Sequence, residues 1–282
     1  MSNISLISSK QPLLLIGCGK MGSAMLAGWL DQGVSPDAVW VIDPNPSDWL
    51  RQTGVQINAP LPEGDKAPGI VLIAVKPQMM GEALPQMQSL GNGQTLFISV
   101  AAGTSIATFE DLLGSQTPLV RAMPNTPALL CQGATGLFAS PAVSEPQRAA
   151  AEQLFAAIGT AQWVAQEQLI DTVTALSGSG PAYFFLLIEL MQKIAEEMGL
   201  PTDVARRLAV QTARGAASMA VESGDSAAEL RAKVTSPAGT TERALAIFAE
   251  HNIEQIVREA MLGAAARSAE MAAELGAATP TQ

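Results

Sequence analysis

The first 165 residues carry short apolar runs separated by turn-forming residues. Runs at residues 13–16, 39–42, 69–75, 95–100 and 118–122 are apolar for the most part, without strict alternation, and a last strand is predicted near 160–164. That pattern predicts strands buried on both faces, because a parallel sheet covered by helices has no wet side. Between the runs, apolar residues return at helical spacing. Helices are predicted over about 21–32, 47–53 and 78–90, with a further one capped by Thr104 or Ser105. Strand and helix in alternation predict a doubly wound α/β sheet. Near residue 165 the strand pattern stops. Segments 168–177, 180–199, 202–223, 227–234, 241–249 and 253–275 read as helices, with Gly199-Leu200-Pro201-Thr202-Asp203 as a stop and fresh start. Two domains are expected: 1–164, the sheet, and 165–282, all-helical.

In open α/β sheets, ligands sit outside the carboxyl ends of the strands. The first strand runs into Gly17-Cys18-Gly19-Lys20-Met21-Gly22, a Gly-x-Gly-x-x-Gly loop opening a helix. The first glycine permits the tight turn, the second lets backbone approach a pyrophosphate, and the third lets the helix pack close. The helix N-terminus then faces the phosphates. Asp43, at the end of the second strand, is placed to bind a ribose hydroxyl. Further strand ends fall at Val75–Pro77, Ala101–Gly103 and Met123–Thr126, so four loops are expected to line one crevice. The dinucleotide-binding candidates are Ile16, Gly17, Cys18, Gly19, Lys20, Met21, Asp43, Asn45, Ala74, Val75, Lys76, Pro77, Ala101, Ala102 and Asn125.

Composition narrows the function. The formal charge is −10 and no basic run occurs, which argues against nucleic acid or an anionic membrane as partner. Met1–Lys10 lacks the form of a signal peptide, and no apolar run is long enough to predict a membrane span, so a cytoplasmic protein is expected. Cys18 and Cys131 have no metal-ligand spacing, and Cys18 reads as a packing residue. The single histidine, His251, lies at a predicted helix break, which disfavours a His-centred triad, a zinc site or a His-acid dehydrogenase.

Two stretches of the helical half are unusual. Ser177-Gly178-Ser179-Gly180-Pro181 precedes a long helix, and Thr235-Ser236-Pro237-Ala238-Gly239-Thr240-Thr241 precedes another. Both are expected to offer hydroxyls and bare N–H groups at helix N-termini, which suits a small carboxylate. With these stretches, Ile16–Gly22, Ala74-Val75-Lys76-Pro77-Gln78 and Arg121-Ala122-Met123-Pro124-Asn125-Thr126-Pro127 occur in order. In this set the chain resembles the pyrroline-5-carboxylate reductases over nearly its whole length. The resemblance implies a Rossmann-type dinucleotide domain and an all-helical substrate-binding and dimerisation domain. It also implies NADPH or NADH as cofactor, a homodimer or a larger assembly of dimers, and hydride transfer to a cyclic imine giving L-proline. It places Ser177, Gly178, Ser179, Ser236, Gly239, Thr240 and Thr241 at the substrate, with Ser177 and Thr241 as catalytic candidates. Thr241 matches a threonine proposed to donate to the ring nitrogen, and the loop carrying it comes from the partner subunit. A protonated imine is already a good hydride acceptor, so orientation matters more than a strong general acid. The chain departs from the family pattern at Lys20, usually Asn, at Ala238, usually Gly, and at Asp43-Pro44-Asn45, where many members carry a pair such as Asn-Arg. The competing readings are a β-hydroxyacid dehydrogenase using Lys193, and a non-catalytic nucleotide-binding protein.

Overall fold

A computed structural model describes residues 7–8, 11–62, 64 and 67–278. The expectation for Met1–Lys10 therefore lies outside the described residues, apart from Ile7 and Ser8. Two compact units are present. One holds the described residues through Ser179 together with the chain from Gly263 onward; the other is Gly180–Leu262.

In the first unit the strands are β1 (Leu13–Ile16), β2 (Val39–Ile42), β3 (Gln56–Ile57), β4 (Ile70–Ile73), β5 (Leu96–Ser99), β6 (Leu119–Met123), β7 (Gly133–Ala139) and β8 (Gly159–Trp163). They form one sheet in the order β3-β2-β1-β4-β5-β6-β7-β8. All neighbours are parallel except β6 and β7, which pair antiparallel. The helices α1 (Lys20–Asp31), α2 (Asp48–Gln52), α3 (Met80–Ala83), α4 (Ile106–Leu113) and α5 (Glu145–Ala156) alternate with them. The connections leave β1 and β4 in opposite directions, so the topological switch lies between those strands.

Alternation within each strand sorts the core into two layers. Leu13 and Leu15 join α1 and α5 residues such as Met25, Trp29 and Phe155 on one face. Leu14 and Ile16 join Met80, Leu84 and Phe109 on the other. Trp29 donates its indole N–H to the Leu154 carbonyl at 2.8 Å, so the buried ring of α1 also satisfies its polar atom on α5.

Three sequence expectations change. The helix expected over 78–90 is a 3₁₀ turn (Pro77–Met79), the short α3, and a second 3₁₀ stretch (Pro85–Leu90). Pro85 cannot donate to the carbonyl four residues back, so the α-helical ladder ends before it. The sheet also gains β3 and the antiparallel β7, which were not expected. Finally, α6 (Leu169–Val173), a π turn (Thr174–Gly178) and α7 (Gly180–Glu197) form one helical path rather than two helices split at the serines. Ser179 N donates to Thr174 O at 2.8 Å, the five-residue step that carries the path through. By length and composition alone, the joined helix Leu169–Glu197 is long and apolar enough to cross a membrane.

The Gly180–Leu262 unit is helical: α7 from Gly180, α8 (Thr202–Glu222), α9 (Ala227–Lys233), α10 (Thr240–Glu250) and the start of α11 (Ile253–Ala278). Among its described side chains only those of Gly180, Ala205 and Ala209 positions are buried, while Phe184, Leu187 and Met191 stand exposed along α7.

Candidate active site

The expected strand-end loops fall on neighbouring strands. Ile16 closes β1, Gly17, Cys18 and Gly19 form the turn, and Lys20 and Met21 open α1. Asp43 and Asn45 follow β2, Ala74, Val75, Lys76 and Pro77 follow β4, Ala101 and Ala102 follow β5, and Asn125 follows β6. In the sheet these strands stand side by side as β2-β1-β4-β5-β6.

The glycine loop is shaped by close approach. Gly17 has φ +87°, and a Cβ there would lie 2.8 Å from Val75 Cγ1. A Cβ on Gly22 would lie 2.5 Å from Gly17 O, so any larger residue would push α1 off the turn. Gly19 is different: a Cβ there would meet nothing within 4 Å, and its backbone is exposed. The open Gly19 backbone, at the N-cap of α1 with no side chain capping it, fits a pyrophosphate. Lys20, at the start of α1, and Lys76, after β4, are exposed, and neither belongs to an ion pair among the described residues.

Asp43 does not swing free. Its Oδ2 accepts from Cys18 N at 2.7 Å and its Oδ1 from Asn45 N at 2.8 Å. The carboxylate therefore braces the glycine loop against the end of β2, with lone pairs left over for ribose hydroxyls. Asn58, at φ +49°, holds Asp43 in turn: its side chain accepts from Asp43 N at 3.0 Å and donates to Asp43 O at 2.8 Å. The Cys18 thiol beneath the loop is pushed up to about 12, first by burial and then by the Asp43 charge.

Ser177 and Gly178 lie in the π turn and Ser179 directly after it. This corrects the expectation of a bare helix N-terminus there. Pro181 has no N–H for the Ser177 carbonyl four residues back. Asn125 Nδ2 donates to that carbonyl at 3.0 Å, and Asn125 Oδ1 accepts from Ala134 N at 2.9 Å. Asn125 thus ties β6 to the serine turn and to β7. Ser177 Oγ donates to Val173 O at 3.1 Å. Gly178 lies on the end of β6, where a Cβ would sit 3.4 Å from Met123 Sδ.

Ser236, Gly239, Thr240 and Thr241 belong to the other compact unit. Gly239 is the N-cap of α10 and no side chain caps it, so this helix start does present open N–H groups. Gly239 N donates to Ser236 O at 3.0 Å, closing a turn with Pro237 and Ala238 inside it. Ala238 takes φ +55°, the conformation glycine adopts without strain. Glu242 Oε2 accepts from Ala238 N at 2.7 Å and holds that turn.

A feature not singled out from the sequence lies beside these loops. Arg121, on β6, is buried and pairs with Glu167 at 2.7 Å. The same Glu167 oxygen accepts from Ile106 N, the first residue of α4, at 2.8 Å. The visible signal was an arginine inside the apolar run Leu119-Val120-Arg121-Ala122-Met123.

Known proteins share this arrangement. Residues 167–271 match the family described as pyrroline-5-carboxylate reductase dimerisation, and residues 13–103 match NADP oxidoreductase coenzyme F420-dependent. A pyrroline-5-carboxylate reductase from Pseudomonas aeruginosa is 43% identical over 94% of this chain and 98% of its own. The chain belongs to the pyrroline-5-carboxylate reductase family. Solved structures of the family agree in fold. The Coxiella burnetii reductase superposes with a TM-score of 0.85 at 36% identity, covering 93% of this chain and 98% of that one. The Plasmodium falciparum pyrroline carboxylate reductase, solved with NADP bound, gives 0.83 at 26% identity over 94% and 99%. As a family member the chain is an NAD(P)H-dependent oxidoreductase, so the open Gly19 turn has its ligand class.

Proposed function

We infer that the chain reduces the C=N bond of 1-pyrroline-5-carboxylate to give L-proline, with NADPH or NADH, as the last step of proline biosynthesis. The observation that carries this is family membership along nearly the whole chain. When bound, the reduced nicotinamide supplies the hydride. The Gly17–Gly22 loop, the start of α1 and Asp43 hold the dinucleotide. Ala74–Pro77, Ala101, Ala102 and Asn125 line the nicotinamide side. The functional division of the chain is 1–164 for the cofactor and 165–282 for substrate binding and dimerisation.

The open N–H groups at Thr240 and Thr241, presented by the turn that Gly239 closes, hold the substrate carboxylate, where a helix start favours an anion. Ser177, Gly178, Ser179 and Ser236 surround the ring. The Thr241 hydroxyl donates toward the ring nitrogen, and Ser177 supports the same edge once its hydroxyl turns from Val173 O. The working protein is a homodimer or an assembly of dimers, in which the Thr241 loop comes from the partner subunit. An acidic chain with no basic run supports a cytoplasmic enzyme without nucleic-acid or membrane partners.

Steady-state assays with pyrroline-5-carboxylate and each reduced cofactor test the reading. Substrate-dependent oxidation of at least one cofactor is expected, and none with either would overturn it. Thr241→Ala is expected to lower kcat/KM for the imine at least about tenfold, or 1.4 kcal/mol of transition-state stabilisation, with cofactor affinity nearly unchanged.

A further inference from the structure

Strand β6 is apolar except for Arg121: Leu119, Val120, Ala122 and Met123 are all buried around it. A buried ion pair is seldom the most stable way to fill such a space, because apolar residues of similar volume do as well or better. What the pair provides here is connection. Arg121 Nη1 lies 2.7 Å from Glu167 Oε1, and that oxygen also accepts from Ile106 N. Ile106 begins α4 and directly follows the loop at residues 101–105. Glu167 stands two residues before α6, whose far end runs into the π turn with Ser177. Asn125, just beyond β6, grips that far end through Ser177 O. One strand therefore pins segment 167–177 at both ends, and through Glu167 it pins the 101–105 loop as well.

Independent contacts support the same pieces. Gly103, at φ +70°, lies so close to α11 that a Cβ would be 2.9 Å from Met271 Cβ. Ser268, three residues earlier on α11, donates to Asp171 Oδ1 of α6 at 2.7 Å. Among the described residues, the buried side-chain polar atoms without a partner are Arg121 Nη2 and Thr104 Oγ1. One belongs to the pair itself, and the other lies two residues before the amide that Glu167 holds. Such unpaired groups are rare in interiors.

We propose that Arg121 and Glu167 are a positioning pair, which fixes the nicotinamide-side loop at 101–105 and the serine turn at 174–178 as one rigid piece. The proposal rests on the reductase reading. Neither side chain touches the reacting atoms; the pair sets the spacing between the loop that orients the hydride donor and the turn that orients the acceptor.

Two variants test it: Glu167→Gln, which removes the charge at nearly constant size, and R121M/E167M, which replaces the pair by apolar volume. Hydrogen exchange is followed by mass spectrometry on the folded proteins, alongside kcat and KM for each substrate. Faster exchange is expected in both 101–106 and 174–179, with residues 39–42 unchanged. A kcat at least about tenfold lower is expected in both variants, with KM for the cofactor within about threefold, because small misplacements of reacting groups cost rate before binding. Exchange that changes only at the start of α4, or in neither segment, would overturn the proposal, as would an unchanged kcat in the folded double variant. If R121M/E167M fails to fold, Glu167→Gln decides by the same criteria. A wild-type protein inactive on the imine would overturn the reductase reading alone, since the exchange measurement judges the coupling of the two segments without turnover.

Discussion

Cys18 stands in the middle of a phosphate loop, and its side chain is buried, in line with its reading as a packing residue. Burial and the neighbouring Asp43 charge push the thiol up to about 12. At pH 8 only about one molecule in ten thousand then carries the thiolate that alkylates, so iodoacetamide is expected to spare Cys18 in the folded protein. The shift also fixes a sign. A thiol whose folded value is raised stabilises the fold below the ordinary thiol range, and that stability is lost as pH climbs from about 8.5 toward 12. Urea unfolding at pH 8 and 10.5 is expected to show a smaller alkaline loss in Cys18→Ala than in wild type. Asp43 is expected to show two effects together. Asp43→Ser removes the brace on Cys18 N, so both cofactors bind more weakly, by about 1.5–3 kcal/mol for a charge-assisted bond. It also removes a negative charge near the ribose, so the NADPH-to-NADH ratio of kcat/KM rises. A ratio that stays level would show that the carboxylate does not face the adenosine ribose.

At the scale of elements, the joined helix Leu169–Glu197 carries the main lesson. Two glycines, two serines and a proline read as a helix boundary, and the chain instead crosses them in a π turn. The crossing works because Asn125, distant in sequence, supplies the donor that Pro181 lacks. Asn125→Ala would leave both Ser177 O and Ala134 N unpaired. A loss of about 2–3 kcal/mol is expected, and a fall in Tm of roughly 5–10 °C by calorimetry. Other elements were legible where capping and pattern agreed. Ser105 caps α4 by accepting from Thr108 N at 3.2 Å, as one of the two candidates. His251 ends α10, which matches its reading as a helix break.

At the scale of the molecule, the Gly180–Leu262 unit has almost no interior of its own in a single chain. Phe184, Leu187 and Met191 repeat at helical spacing along α7 with 65%, 47% and 54% of their surfaces exposed. An exposed stripe of that kind is covered in a stable protein, and the family match over 167–271 is to dimerisation. The same stripe explains why the helix passes as a membrane span by composition. Leu187→Glu is expected to weaken self-association at least about a hundredfold by light scattering and sedimentation, the cost of a buried charge at an interface centre. A wild-type protein that is monomeric and fully active at assay concentration would contradict this.

By itself the sequence determined the layers and the chemistry of the strand ends. Four-residue apolar runs have one low-energy solution, burial on both faces, and Gly17, Gly19 and Gly22 mark places where a side chain collides or where open backbone is needed. It also carried the ordered loops that placed the chain in its family. Tertiary structure decided what depends on partners far along the chain. The two-residue β3 and the antiparallel β7 form by pairing with a finished sheet, since Gly133-Ala134-Thr135-Gly136 has too few apolar side chains to announce a strand. Asp43 became a brace because Cys18 N lies 2.7 Å away, not because of its own neighbours. Arg121 found Glu167 across 46 residues of sequence. Local pattern reports the backbone a segment prefers and the face it buries, whereas a polar group's partner is chosen only when packing brings distant strands and helices together.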